Sequence, residues 1–256
     1  MHTGLIVLAG LFGAAAGVLL VPRMAYRLSV RPGQDWRATC PGGHLLPGWT
    51  GPAYCGDCAS APGPAGGAGT GRRGGWYGPR TAALAVDTAL VCALLAYTTG
   101  PRPELGVWLS LTPFAVVLCL TDFTVGRLPS VLTLPLAGAC AALLGVAALF
   151  PGTAGSWPSA LLGGTALGGV YYTLHLVSPS GMGLGCVKLA PTVGTALGWY
   201  GERTFLIGSF AGFALSAVYA LGMMRAGRVS LRTSMEFGPF AVCGALIGVA
   251  VGGLTA

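Results

Sequence analysis

GLIVLAGLFGAAAGVLLV, residues 4–21, decides the fold class before any motif is considered. No charged side chain interrupts the run, and a helix needs about 20 apolar residues to cross the ~30 Å hydrocarbon core of a bilayer. In lipid every backbone N–H and C=O must be paired within the protein, and a single apolar segment manages this only as a helix. The rest of the chain has the same character. Of 256 residues, 54% are hydrophobic and 8% charged, and the mean hydropathy is +0.72; a soluble domain carries about 25% charged residues. The sequence therefore reads as an all-α polytopic membrane protein. Apolar runs punctuated by Gly, Pro and charge predict about eight transmembrane helices, near 4–21, 82–99, 105–120, 130–150, 158–177, 187–200, 204–224 and 238–255. The sixth is the shortest. The 44 glycines suit close helix packing in lipid.

Charge sorts the loops. Eight spans divide them into two sets, and of the 14 basic residues all but Arg102 and Arg203 fall in residues 22–81, 121–129, 178–190 and 225–237. An excess of Arg and Lys marks the cytoplasmic side. Arg23, Arg27 and Arg31 follow the first apolar run and no Arg or Lys precedes it, which is the pattern of a retained first helix with its N-terminus outside. The net charge of +7 is spread through these loops and forms no single patch, which argues against a nucleic-acid partner. Three parts follow: residues 1–21 as the first span, 22–81 as a cytoplasmic loop and linker, and 82–256 as a seven-helix core. Trp76, Tyr77, Tyr97, Trp108, Trp157, Trp199 and Tyr200 lie near span ends and read as interfacial belts.

Within 22–81, Cys40-Pro-Gly-Gly-His44 and Cys55-Gly-Asp-Cys58 offer two pairs of ligands. A tetrahedral Zn²⁺ site on Cys40, His44, Cys55 and Cys58 fits that spacing. Reduced thiols or an adventitious disulfide are the alternatives, and a cytoplasmic location disfavours a stable disulfide. Asp57 is expected to face solvent. The stretch SAPGPAGGAGTGRRGG, residues 60–75, reads as a flexible linker.

Ionisable residues in or near spans are costly and therefore functional candidates. The sequence has few: Asp87, Asp122 and His175. Asp122 stands in TDFTVGRLPSVLTLP, residues 121–135, at the cytoplasmic end of a span, where pairing with Arg127 is the plain structural alternative. The second candidate stretch is GMGLGCVKL, residues 181–189. Gly181, Gly183 and Gly185 allow positive φ and close backbone approach, as a loop gripping an extended peptide would need; an ordinary interhelical turn is the bland alternative. Lys188 is the only lysine in the chain.

TDFTVGRLPSVLTLP and GMGLGCVKL, in this order, resemble the two active-site segments of the type IV prepilin peptidases, membrane aspartic peptidases of the Gly-x-Gly-Asp type. MEFGPFAVCGALIG (235–248) is similar to the family's segment opening the last span, the Cys-containing loop to its zinc-binding loop, and Asp87 falls where the family has a Glu. The resemblance implies a multi-pass protein of the bacterial inner (cytoplasmic) membrane that cuts the leader peptides of pilin-like precursors at the cytoplasmic membrane face. Carboxylates at positions 122 and 186 would flank a water, one as base and the other, protonated, polarising the scissile carbonyl. Family members also methylate the new N-terminus, which would require S-adenosylmethionine.

The sequence departs from this pattern at the chemistry itself. Position 186 is Cys, where the motif has Asp. A thiol, with a reference pKa near 8.5, does not share a proton with a carboxylate as a second carboxylate would. Two outcomes follow: a prepilin peptidase impaired at Cys186, or an inactive paralogue that binds pilin-like precursors without cutting them. A Cys/His mechanism would need His175 as the base activating Cys186. The first Cys pair of the zinc loop is reduced to Cys40 with His44, which weakens the case for the methyltransferase and its cofactor.

Overall fold

The computed structural model describes residues 3–31, 33–60, 75–126, 128–179, 182–227 and 237–256. Ten helices occur among them: α1 (Thr3–Leu19), α2 (Val21–Leu28), α3 (Gly56–Ser60), α4 (Thr81–Thr99), α5 (Glu104–Val125), α6 (Ser130–Ala147), α7 (Trp157–Val177), α8 (Leu184–Gly198), α9 (Glu202–Arg225) and α10 (Gly238–Thr255). No strand occurs among the described residues, only two isolated bridges, Thr39 with Leu45 and Tyr54 with Trp76, in the loop between α2 and α4.

Six of these helices (α4, α5, α6, α7, α9 and α10) are each long and apolar enough to cross a membrane. The first span is bent: α1 and α2 meet at 41°, and together they make a seventh candidate. Pro22 sits in the first turn of α2, where its missing N–H costs no hydrogen bond, and α2 leads into the long polar loop. The sixth expected span is α8, whose 15 residues fall short of the bilayer core. Protein surrounds it: α6, α7, α9 and α10 all pack on it, and every residue from Thr192 to Gly198 is buried.

Close pairing of helices builds the bundle. α1 packs on α4, α7 on α8 and α9 on α10. The α1–α4 seam shows how. A Cβ on Gly13 would lie 2.6 Å from the Thr88 carbonyl oxygen, and one on Gly17 2.6 Å from that of Leu84. Two glycines four residues apart sit one above the other on one helix face, so α4 approaches to backbone contact, the small-xxx-small packing of membrane helices. The same spacing recurs at Gly194–Gly198 in α8 and Gly208–Gly212 in α9, whose glycines also meet backbone.

Two apolar clusters fill the interior. One contains Trp108, Cys140, Leu144 and Trp199; the other contains Leu118, Leu128, Tyr171, Cys186, Leu189 and Phe237. The expected aromatic belt is corrected here. Trp108 and Trp199 are buried in the same apolar cluster, and Trp108 Nε1 donates to the Tyr200 hydroxyl at 3.2 Å. Tyr77 is buried too, beside Cys40 and Cys55 in the loop after α2.

Candidate active site and metal cluster

Asp122 lies in the last turn of α5, and the helix ends at once. Gly126 adopts a left-handed conformation (φ 61°) and returns its N–H to the Asp122 carbonyl, the usual glycine stop. The helix thus runs further than the sequence suggests and carries Asp122 on regular backbone, 4% exposed. Arg127, the expected partner, lies outside the described residues.

Cys186 is in the first turn of α8, its N–H bonded to the Gly183 carbonyl at 3.0 Å. The sequence expectation of a positive-φ glycine loop is corrected on two counts. Neither Gly183 nor Gly185 has positive φ, and Gly185 is already helical. Its lack of a side chain serves packing instead: a Cβ there would stand 2.9 Å from Leu128 Cβ. Gly181 lies outside the described residues. Lys188 reaches α6, where its Nζ donates to Ser130 Oγ at 2.6 Å, so the N-terminal parts of α8 and α6 are tied together.

The two positions converge on α10. The Gly238 N–H donates to Asp122 Oδ2 at 3.0 Å in a buried bond. The Phe237 and Gly238 amides also face the Cys186 sulfur, and Asp122 is close enough to act on that sulfur electrostatically. Tyr171, Phe213 and Phe237 wall this region, with ring centroids 5.0–5.8 Å apart. Residues widely separated in sequence thus share one site at one end of the bundle. His175 is engaged elsewhere: its Nδ1–H donates to the Met182 carbonyl at 2.7 Å, tying the end of α7 to the segment before α8. Asp87 is exposed on α4.

The loop after α2 forms a separate cluster. Cys40, His44, Cys55 and Cys58 offer donor atoms all within 4.8 Å of one another. Individual separations are 3.4 Å for Cys40 Sγ to Cys58 Sγ, and 3.2 Å and 3.6 Å from His44 Nδ1 to Cys58 Sγ and Cys55 Sγ. Edges of about 3.5–3.8 Å are what Zn–S and Zn–N bonds of about 2.3 and 2.0 Å give in a tetrahedron. Two turns hold the ligands. Cys40 N–H bonds the His44 carbonyl at 2.9 Å, and Cys55 N–H bonds the Gly75 carbonyl at 2.8 Å. Gly42 leaves room for Cys58, whose sulfur would lie 2.6 Å from a Cβ there. The donor chemistry fits a cation. The hydrogen bond with Cys40, then burial, pushes the Cys58 thiol up to about 12. Burial opposes ionisation of Cys40, but hydrogen bonds from Cys58 and from the backbone outweigh it and hold that thiol below its ordinary value. A divalent cation relieves this competition for charge. The cluster can therefore hold a metal ion. Asp57 is exposed, as its position in the sequence suggests.

Arg23 fastens this loop to α2. Its guanidinium donates to the carbonyls of Pro47 (2.5 Å), Thr50 (2.6 Å) and Pro52 (3.1 Å). Arg27 adds a bond to the Gly48 carbonyl at 2.6 Å and stacks 4.4 Å over Trp49.

Two features had no sequence signal. The Gly238 amide is backbone and leaves no residue-type signature. Glu104 looks like an interfacial residue at a span end, yet it is fully buried, accepting from the Ala154 N–H at 3.3 Å.

Fold and site together define a polytopic helical membrane protein with a carboxylate-bearing site at one end of the bundle and a metal-type cluster beside it. Residues 109–227 match the family model of the type IV leader peptidases. This segment carries both Asp122 and Cys186; the Cys/His cluster and α10 lie outside it. No curated protein and no solved structure matches the chain.

Proposed function

We propose that this chain is a prepilin leader peptidase-like protein of the bacterial inner membrane. It binds the leader of a pilin-like precursor at the cytoplasmic face, with Asp122 as the surviving catalytic carboxylate and Cys186 in the place of its partner. One observation carries the reading: Asp122 and Cys186, from two different helices, meet at the same turn of α10. In an aspartic mechanism one carboxylate takes a proton from water while the other gives one to the scissile carbonyl. Asp122 can fill the first role. Cys186 does not fill the second, because it cannot form the proton-sharing carboxyl pair that splits the two acidities. General acid or base assistance contributes about 10²–10⁴ in rate, so cleavage by the chain as it stands is slow by that factor or absent. The region walled by Tyr171, Phe213 and Phe237 supports binding of an apolar peptide whether or not it is cut.

In the same reading the Cys40/His44/Cys55/Cys58 cluster holds zinc. The metal would cross-link the two turns of the loop and so shape the surface beside the membrane; Arg23 and Arg27 transmit that shape to α2. Lys188, Gly183 and Gly185 set the position of the α8 start.

The test is co-expression with a pilin-like precursor, following leader removal by mass shift. We expect Cys186→Asp to raise cleavage about 100-fold or more and Asp122→Ala to abolish that gain. Robust cleavage by the original chain that survives Asp122→Ala would refute the assignment. Co-purification of uncut precursor with the original chain, with no gain in Cys186→Asp, would favour a binding protein that does not cut.

A further inference from the structure

The first turn of α10 touches both Asp122 and Cys186, yet it lies outside the segment that matches the family. Its role is legible from three observations. The Gly238 N–H donates to Asp122 Oδ2 at 3.0 Å, fully out of solvent. The first N–H groups of a helix have no acceptor within it, and the positive end of the helix dipole favours a carboxylate there; Pro239, next in line, has no N–H to offer. Finally, a Cβ on Gly238 would stand 2.5 Å from Asp122 Oδ2 and 3.2 Å from its Cγ. No side-chain-bearing residue fits that space with the carboxylate where it is.

Backbone conformation does not explain the glycine. Gly238 is absent from the positive-φ glycines, and as a helical residue it has dihedrals any amino acid adopts. A glycine at an ordinary helical position weakens the helix by about 1 kcal/mol against alanine. Its other close neighbour, Leu128 Cδ1 at 3.1 Å from the same virtual Cβ, is the end of a flexible side chain and can give way. The carboxylate is the neighbour that demands the space.

We propose that Gly238 is a positioning residue for Asp122: its main-chain N–H holds the carboxylate, and its missing side chain is what lets the carboxylate approach. The inference rests on the reading of Asp122 as the working acid of the site. With the Phe237 and Gly238 amides also facing residue 186, the start of α10 fixes both members of the pair from one backbone anchor. A distortion of this turn moves Asp122 relative to residue 186 without touching either side chain.

A double-mutant cycle tests this without reference to activity. Thermal unfolding is measured in detergent for the original chain, Gly238→Ala, Asp122→Ala and the double variant. Asp122→Ala removes the atoms the new methyl would strike. We expect Gly238→Ala to lower the midpoint by about 5 °C in the original chain and by less than about 1 °C in the Asp122→Ala background. If Gly238→Ala fails to fold but the double variant folds, the proposal is supported in stronger form. An equal loss in both backgrounds, or failure of both to fold, overturns it, since Gly238 would then serve helix packing alone. A second arm uses Cys186→Asp. There Gly238→Ala should lower kcat about tenfold or more while KM stays within about twofold; an unchanged kcat overturns the proposal. Should Cys186→Asp show no cleavage at all, the peptidase reading fails and the unfolding cycle still decides the role of Gly238.

Discussion

Removing the Arg23 guanidinium should release the loop after α2 from the helical bundle. Arg23 is 8% exposed and donates three bonds to the Pro47, Thr50 and Pro52 carbonyls. Hydrogen bonds from a charged group contribute about 1.5–3 kcal/mol each, so three give about 4.5–9 kcal/mol before opposing terms. Two terms reduce it: burial of a guanidinium carries a desolvation cost, and water replaces some of the lost bonds at this interfacial site. A net of about 3 kcal/mol remains, roughly a 150-fold shift in the docked-to-undocked equilibrium. Hydrogen exchange in detergent reads this directly. The Gly51 N–H donates to the Leu19 carbonyl, at the very end of α1, and should lose about 150-fold of its protection in Arg23→Ala. Amides in α4 and α5 should keep theirs. Arg23→Lys should recover little, because a single ammonium does not present the planar fork that meets three carbonyls at once. A change at Gly51 below about threefold in Arg23→Ala would refute the reasoning and leave α2 and the Arg27–Trp49 stack as the real attachment.

The remaining predictions concern the metal cluster and the opposite end of the bundle. Elemental analysis of the purified chain should find about one zinc per molecule, falling to near zero in Cys58→Ser, because Cys58 lies within 3.4 Å of both Cys40 Sγ and His44 Nδ1. Unchanged zinc in that variant would exclude the four-residue site. Glu104→Gln should leave the unfolding midpoint in detergent within about 2 °C, since an amide oxygen still accepts from the Ala154 N–H; Glu104→Leu should cost about 1–3 kcal/mol by leaving that donor unpaired. Equal midpoints for the two variants would show that the bond carries no weight.

The membrane class was legible because hydrophobicity is additive along a chain and a bilayer imposes a fixed length. The positions of α4, α6, α7, α9 and α10 follow from that reading within a few residues. Boundaries at the site were less legible. α5 runs past the predicted end at 120 to Val125, and α8 begins at Leu184, so Asp122 sits inside a last helical turn rather than at its end, and Cys186 sits on a helix where a loop had been expected. The apolar run ends at Thr121, but the helix continues past Asp122, which is buried and held by the Gly238 N–H, and stops only where Gly126 turns left-handed. Gly185 misled for a related reason: a glycine in close approach to Leu128 reads, in one dimension, like a glycine chosen for a turn.

By itself the sequence determined the class of fold and the four candidate metal ligands, since each depends on residue type and spacing alone, and a family resemblance marked the two candidate site stretches. Only the tertiary structure decided that Asp122 and Cys186 meet at one backbone amide, that His175 is committed to a carbonyl, and that Glu104 is enclosed. Those facts depend on which helix faces which. In a bundle packed through glycine seams, facing is set by backbone approach between distant segments, and no local pattern encodes it.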